Sequence, residues 1–284
     1  MELIKNYREN EALRCSFNAL TEKTFGFHFE DWYQKGYWGE DYRPYSMVED
    51  GRVVANVSVN HTNFNLNGRI VRLIQLGTVM TDEAYRNRGL IRTIMEEIER
   101  DYAGKVDGMY LFANDEVVEF YPKFGFCQGQ EWQYSTTVGN FGPCRMRRVS
   151  MAEAENRIAF ERGMARSAPI GAFDMAGNHG LIFFYVASFM ADCVYYSPEL
   201  DAWAIAEKDG EKLMLHAVYG ADAESIIAAF GGEIRRVALG FAPADAAGYE
   251  RELLREEDCT FFVKGVFFEE FDARCLRIPT LSHA

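Results

Sequence analysis

The sequence predicts an α/β (α+β) fold in two halves of similar size. Three observations carry this. Strand-period and helix-period hydrophobic patterns follow one another along the chain. A Gly-rich stretch with a Pro and a basic end, GNFGPCRMRR (139–148), interrupts them near the middle. The order hairpin, helix, strand then recurs after that linker. We read the recurrence as an internal duplication, with an unrelated α+β domain as the other reading. The expected division is residues 1–140 and 146–284.

The elements follow in order. Arg8 to Lys23 has the pattern of an amphipathic helix. PYSMVEDGRVVANVSVNHTNFNLNG holds two strands joined at Glu49-Asp50-Gly51. In the second of them Val53, Ala55, Val57 and Val59 alternate with Val54, Asn56, Ser58 and Asn60, giving one apolar and one mostly polar face. Asn67-Gly68 marks a turn, and Ile70 to Met80 is the next strand. After the loop DEAYRNRG a helix places Leu90, Ile91, Ile94, Met95 and Ile98 on one face. Met109–Ala113 is a short buried strand, Asn114 opens a segment that becomes helical through Tyr121, and Gln133–Val138 closes the first half as a strand.

In the second half, Ser150 with Glu153 forms a capping-box pattern, so helices are expected over roughly 151–166 and 179–192. A hairpin turning at Asp209-Gly210, the helix ADAESIIAAFG and the strand RRVALGF complete it.

Composition narrows the function classes. Apolar residues make up 48% of the 284, enough for a sizeable core. The formal net charge of −13 repels phosphate backbones and anionic lipid, so neither nucleic acid nor a membrane is an expected partner. The N-terminus lacks an apolar signal segment. The run Leu181–Ala191 is shorter than the roughly 20 residues a membrane span needs. Six scattered cysteines without a CxxC pair or a His at ligand spacing read as free buried thiols of a reducing, cytoplasmic compartment, with no metal site.

The sharpest motif is YRNRGLIR (85–92), between a strand and a helix. A Gly-containing loop entering a helix leaves several N–H groups unpaired and aligned with the helix dipole, an arrangement that binds phosphate oxygens. Arg86, Asn87, Arg88 and Arg92 add donors and positive charge against the acidic background. An ordinary helix start with solvated arginines has the same pattern, so context decides.

That context is LIQLGTVMTDEA before the loop and LFANDEVVEFYPKFGF after it. Together they resemble the GNAT superfamily of N-acetyltransferases, whose pyrophosphate loop reads Arg/Gln-x-x-Gly-x-Gly/Ala. The match runs through Val79-Met80-Thr81, Arg86-Asn87-Arg88-Gly89-Leu90-Ile91, Asn114, and Tyr121-Pro122-Lys123-Phe124-Gly125-Phe126, and covers most of residues 1–138. Ile91 departs from it, standing where the family has a small residue. The pairing of this half with a second one lacking the motif is similar to the tandem type, the mycobacterial enhanced-intracellular-survival acetyltransferases. The loop VYGADAESI of the second half has no basic residue.

The resemblance implies two GNAT-like domains, each a mixed, mostly antiparallel twisted sheet flanked by helices, the second degenerate and contributing to an acceptor site. It also implies acetyl-CoA as co-substrate and a small cationic molecule or a peptide amine as acceptor. By it, the backbone of Val79, Met80 and Thr81 holds the pantetheine arm, and Arg86 to Arg92 hold the pyrophosphate. Asn114 touches the coenzyme arm, and Tyr121 protonates the leaving thiolate. A phenol, with a pKa of about 10, enters that step protonated, although residue type alone makes Tyr121 a core aromatic.

His28, His61, His179 and His216 are isolated and read as structural. In the tandem branch the terminal carboxylate reaches the active site. The carboxylate of Ala284 is therefore a candidate catalytic group, acting through water because its pKa of about 3.5 makes it a poor base. The aromatics from Phe25 to Tyr45, with Asp31, Glu40 and Asp41 among them, either line an acceptor site or pack on the core. A homo-oligomer is compatible with the sequence. Two further readings remain: a non-catalytic acyl-CoA sensor, and a carrier of a cationic ligand.

Overall fold

In the computed structural model, which describes residues 1–139 and 141–283, strands and helices alternate from the first residues. The first half contains β1 (Glu2–Lys5), α1 (Glu11–Phe25), α2 (Glu30–Gln34), β2 (Tyr42–Glu49), β3 (Arg52–Leu66) and β4 (Arg69–Thr81). It continues with α3 (Leu90–Tyr102), β5 (Gly108–Ala113), β6 (Cys127–Gln128) and β7 (Trp132–Thr137). The second contains β8 (Arg147–Arg148), α4 (Ala154–Arg166), β9 (Asp174–Met175), α5 (His179–Val186), β10 (Val194–Ser197), β11 (Ala202–Asp209) and β12 (Lys212–Tyr219). It ends with α6 (Ala223–Phe230), β13 (Arg236–Leu239), β14 (Glu250–Leu253), β15 (Thr260–Lys264) and α7 (Phe267–Ala273). No helix among the described residues is long and apolar enough to cross a membrane.

Two mixed, mostly antiparallel sheets result. One runs β1-β2-β3-β4-β5-β15-β6, with β9 added on β3, and the other runs β14-β7-β13-β12-β11-β10-β8. In each sheet an antiparallel hairpin leads into a helix and then a parallel strand: β3-β4-α3-β5 in the first and β11-β12-α6-β13 in the second. This is the repeated order seen in the sequence.

The sheets do not divide at the linker. β7, expected to close the first half, pairs instead with β13 and β14 in the second sheet. In return β15 crosses back and fills the place between β5 and β6, with Phe261 opposite Phe112. The exchange buries Phe262 and Val263 against the first half, so each sheet depends on a strand from the other half.

Several local expectations are corrected. Ser150 caps no helix. Its hydroxyl accepts from the Ala152 amide, while Asn156 and Arg157 side chains bond the carbonyls of residues 150–152 and hold them as a turn, so α4 starts at Ala154. Met151, 2% exposed, is thereby inserted into the core. The segment after Asn114 forms only 3-10 turns, Asp115–Val117 and Tyr121–Phe124, because Pro122 offers no N–H to an α-helix. The helix expected to 192 ends at Val186. The six thiols are free, but Cys15, Cys127 and Cys144 are exposed and none of the six is fully buried.

At the join of the sheets the Arg277 side chain is buried, donating to Gln133 Oε1 at 2.5 Å and to Leu239 O at 2.9 Å. Glu131, buried nearby, accepts from the Ile278 amide at 2.8 Å, and burial pushes its carboxyl up to about 7. A carboxyl raised in the fold stabilises it below the unfolded value of 4.5 and loses that contribution as pH rises through about 7. Glu131→Gln should therefore gain stability over wild type, by at most about 3 kcal/mol, between about pH 4.5 and about pH 8. Urea midpoints at both pH values measure the difference, and parallel pH profiles for the two proteins would refute it.

Candidate active site

The site begins where β4 and β5 part. The two are parallel partners only over Leu73–Gln75 against Gly108–Tyr110. Beyond Gln75 the two strands have no further paired residues, so the sheet opens into a V. A bulge on the other edge sharpens this: the register of β3 against β4 shifts between Asn56 and Ser58, and Thr78 takes φ +48°.

The polar face of β3 holds that bulge. Asn56, Ser58 and Asn60 are buried, as is the apolar face behind them. The Asn56 amide donates to Thr78 O and to Ser58 Oγ, both at 2.9 Å, and accepts from Ser46 Oγ at 2.8 Å. Tyr7 donates to Ser46 at 2.7 Å, and Tyr42 shares a 2.7 Å hydrogen bond with Thr78 Oγ1. A side chain of similar size without these groups leaves Thr78 O and two hydroxyls short of a partner. Asn56→Leu should lose about 2 kcal/mol of stability in a urea titration, and an unchanged midpoint would mean that water replaces the amide.

At the open end of the V, the 3-10 turn Glu83–Tyr85 is capped by Asp82, whose Oδ1 accepts from the Ala84 amide at 3.0 Å. The chain then reverses through Asn87 at φ +61° and Gly89 at φ +74° into α3. No side chain caps this helix, and the first helical N–H to find an acceptor is that of Thr93, on Gly89 O at 3.1 Å. The backbone N–H groups from Asn87 to Arg92 have no acceptor among the described residues. No protein atom lies within 4 Å of where a Gly89 Cβ would stand, and its φ of +74° is a left-handed turn that glycine takes without strain. Arg88 donates to Ala84 O at 2.8 Å and lies 4.8 Å from the Tyr85 ring, while Arg92 lies over Phe124 at 5.4 Å. Ile91, where the family has a small residue, packs half-buried on the first-half core.

The equivalent helix start in the second sheet is closed. Asp222 caps α6 by accepting from the Ser225 amide at 2.7 Å, placing a carboxylate where an anion would sit. The parting of β12 and β13 beyond Leu215 is also filled, by the chain's own 3-10 turn Thr280–Ser282, with the Thr280 amide on Gly240 O at 2.9 Å.

Below the V of the first sheet is a cleft of about 990 Å³. Val79, Met80, Thr81, Arg86, Asn87, Arg88, Gly89, Leu90, Ile91, Arg92, Asn114 and Tyr121 all line it. Tyr121 is 5% exposed, its ring packs on Phe120, Phe126 and Phe262, and its hydroxyl has no hydrogen-bond partner among the described residues. Burial pushes that phenol up to about 12. The Asn114 amide is held by Asp258 Oδ2 at 3.1 Å, so the second half orients it.

Ala284 lies outside the described residues. The residue before it, His283, stacks on Phe112 at 3.8 Å, and its carbonyl accepts from Tyr185. Phe112 lines the cleft, so the tail is tied to its wall up to that point. None of His28, His61, His179 and His216 lines the cleft.

The other end of the cleft is aromatic, with Phe25, Phe27, Phe29, Trp32 and Tyr42 from the first half. Leu181 and Phe184 join them from α5, contacts that no local pattern in the sequence locates. Trp32 ties the two halves there, donating its indole N–H to Gly180 O at 2.7 Å. The carboxylates read with these aromatics are elsewhere. Glu40 pairs with Arg8 at 2.7 Å, Asp31 lines a neighbouring cavity, and Asp41 faces neither. Trp38, Tyr33 and Tyr45 pack outside the cleft.

Residues 6–129 match the acetyltransferase (GNAT) domain family. No curated protein matches the chain in sequence. Among solved structures, a protein of Enterococcus faecalis V583 described as a probable N-acyltransferase superposes with a TM-score of 0.56 at 18% identity, over 95% of this chain and 74% of that one. A GCN5-related N-acetyltransferase from Kribbella flavida gives 0.52 at 17%, over 92% and 70%. Eis1 from Mycobacterium abscessus gives 0.54 at 12%, over 92% and 73%. At such identities the likeness is one of fold, and it extends through both sheets. The family match thus places a GNAT acetyltransferase domain at residues 6–129 of this chain.

Proposed function

We propose that the chain transfers the acetyl group of acetyl-CoA to a primary amine in the cleft below the β4–β5 opening. The row of N–H groups from Asn87 to Arg92, without acceptors among the described residues and at a helix N-terminus, carries this reading. Those amides, with Arg86, Arg88 and Arg92, hold the pyrophosphate. The edge of β4 that faces the V at Val79–Thr81 pairs with the amides of the pantetheine arm as an added strand would. Asn114 meets the arm where the strands part.

Chemistry then needs two proton movements. The neutral amine attacks the thioester carbonyl, the C–S bond breaks, and Tyr121 gives its proton to the departing sulfur. The amine nitrogen releases its proton to water. With no partner for its hydroxyl among the described residues and a raised pKa, Tyr121 arrives protonated and free to donate.

Two measurements test the proposal in sequence. Acetyl-CoA should raise the melting temperature of the protein, and thiol release should then appear with amines from a panel. Stabilisation without thiol release for any amine would make the chain an acyl-CoA sensor instead. No stabilisation would remove the coenzyme site itself.

A further inference from the structure

The acceptor end of the cleft offers ring faces and almost no negative charge, and from this we infer that its amine is carried on an apolar, aromatic body: a monoamine of the arylalkylamine class rather than a polycation. The inference rests on the acetyl-transfer reading of the same cleft and adds the acceptor's class to it.

Phe29, Trp32 and Phe184 form one wall. Phe29 stacks on Phe184 at 5.3 Å, and Trp32 stands edge-on to Phe184 at 5.6 Å. Phe27 extends the wall, 5.3 Å from Phe29. Tyr42, 5.2 Å from Phe29, joins it to the β4 edge through its hydroxyl on Thr78. The polar atoms of this wall are already used: the Trp32 N–H by Gly180 O and the Tyr42 hydroxyl by Thr78. It therefore presents hydrocarbon and π faces to a ligand.

Charge points the same way. Among the described residues the cleft is lined by four cations, Arg86, Arg88, Arg92 and Lys123, and a single carboxylate, Glu116, which is exposed. Each additional ammonium of a polycation must be desolvated and needs a partner, and this wall has none to give. Of the carboxylates close in sequence, Glu30 is engaged by Arg14 at 2.9 Å and Glu40 by Arg8, while Glu22 and Asp31 line the neighbouring cavity and not this cleft. One ammonium, by contrast, can lie against a ring face while an aromatic body buries area on the rest of the wall.

The test uses the full chain saturated with coenzyme A, titrated calorimetrically with phenethylamine and with spermidine. Phenethylamine should bind at least about tenfold tighter, and Phe184→Ala should weaken it by about tenfold, with Phe184→Leu in between. Thermal melts confirm folding, and Phe184→Leu carries the comparison if the alanine variant does not fold. Tighter or equal binding of spermidine, binding of neither amine, or unchanged phenethylamine affinity in the folded variants would overturn the inference. Thiol release from acetyl-CoA separates the two claims. Phenethylamine bound as expected without thiol release overturns acetyl transfer alone, and preferred turnover of spermidine overturns the acceptor class alone.

Discussion

Tyr121→Phe should lower kcat for acetyl transfer by about a hundredfold while leaving KM for acetyl-CoA within about twofold, because the proposed general-acid help to the leaving sulfur is lost and binding is not. The ring keeps its packing on Phe120, Phe126 and Phe262, and the hydroxyl removed makes no hydrogen bond to the described residues. Stability should stay level, since the hydroxyl opens on the cleft and bonds none of the described residues. The pH profile separates an acid from a packing residue. With its pKa pushed up to about 12, Tyr121 stays protonated through the neutral and mildly alkaline range, so it imposes no falling limb there. The loss in the Phe variant should accordingly be the same at every pH in that range. A variant retaining wild-type kcat, or one whose deficit vanishes at low pH, would remove Tyr121 from the chemistry.

The legible and illegible parts of this protein divide by range. β3, β4 and α3 are readable because alternation, the Asn67-Gly68 turn and the apolar stripe from Leu90 to Ile98 are local signals, and the structure forms them within a residue or two. The contrast between the two helix starts is equally local: bare Gly89 in one, Asp222 in the other. The partners of strands are not local. Nothing in TFFVK says that β15 crosses to β5, because its register on Met109–Ala113 is set by a contact between distant parts of the chain. The same holds for β7, whose own residues carry no sign that it leaves the first sheet for β13 and β14.

The aromatic wall divides in the same way. Phe27, Phe29 and Trp32 stand out in the sequence, but Leu181 and Phe184 reach them only because α5 folds over that end of the cleft. The carboxylates mislead because nearness in sequence is not nearness in space. Glu40 turns to Arg8, and Asp31 faces a different cavity from the one its aromatic neighbours line.

Gly89→Val should weaken acetyl-CoA binding by about a hundredfold, because the amides proposed to hold the pyrophosphate depend on a backbone turn that valine resists. Gly89 sits at φ +74° with no protein atom near the position of a Cβ, so the penalty within the protein comes from the left-handed conformation and not from a clash. A β-branched residue there costs about 1–2 kcal/mol or more, and the chain can relieve it only by rotating the peptides on either side. Those peptides carry the N–H groups of Leu90 and its neighbours, which point together only while the turn is kept. Gly89→Asn separates geometry from the loss of glycine as such. Asparagine tolerates the left-handed region, as Asn87 does two residues earlier at φ +61°, so this variant should keep affinity within about fivefold of wild type. Calorimetric titration with acetyl-CoA measures both. If the valine variant binds as wild type does, the arginines alone hold the coenzyme, and the open helix start has no part in the site.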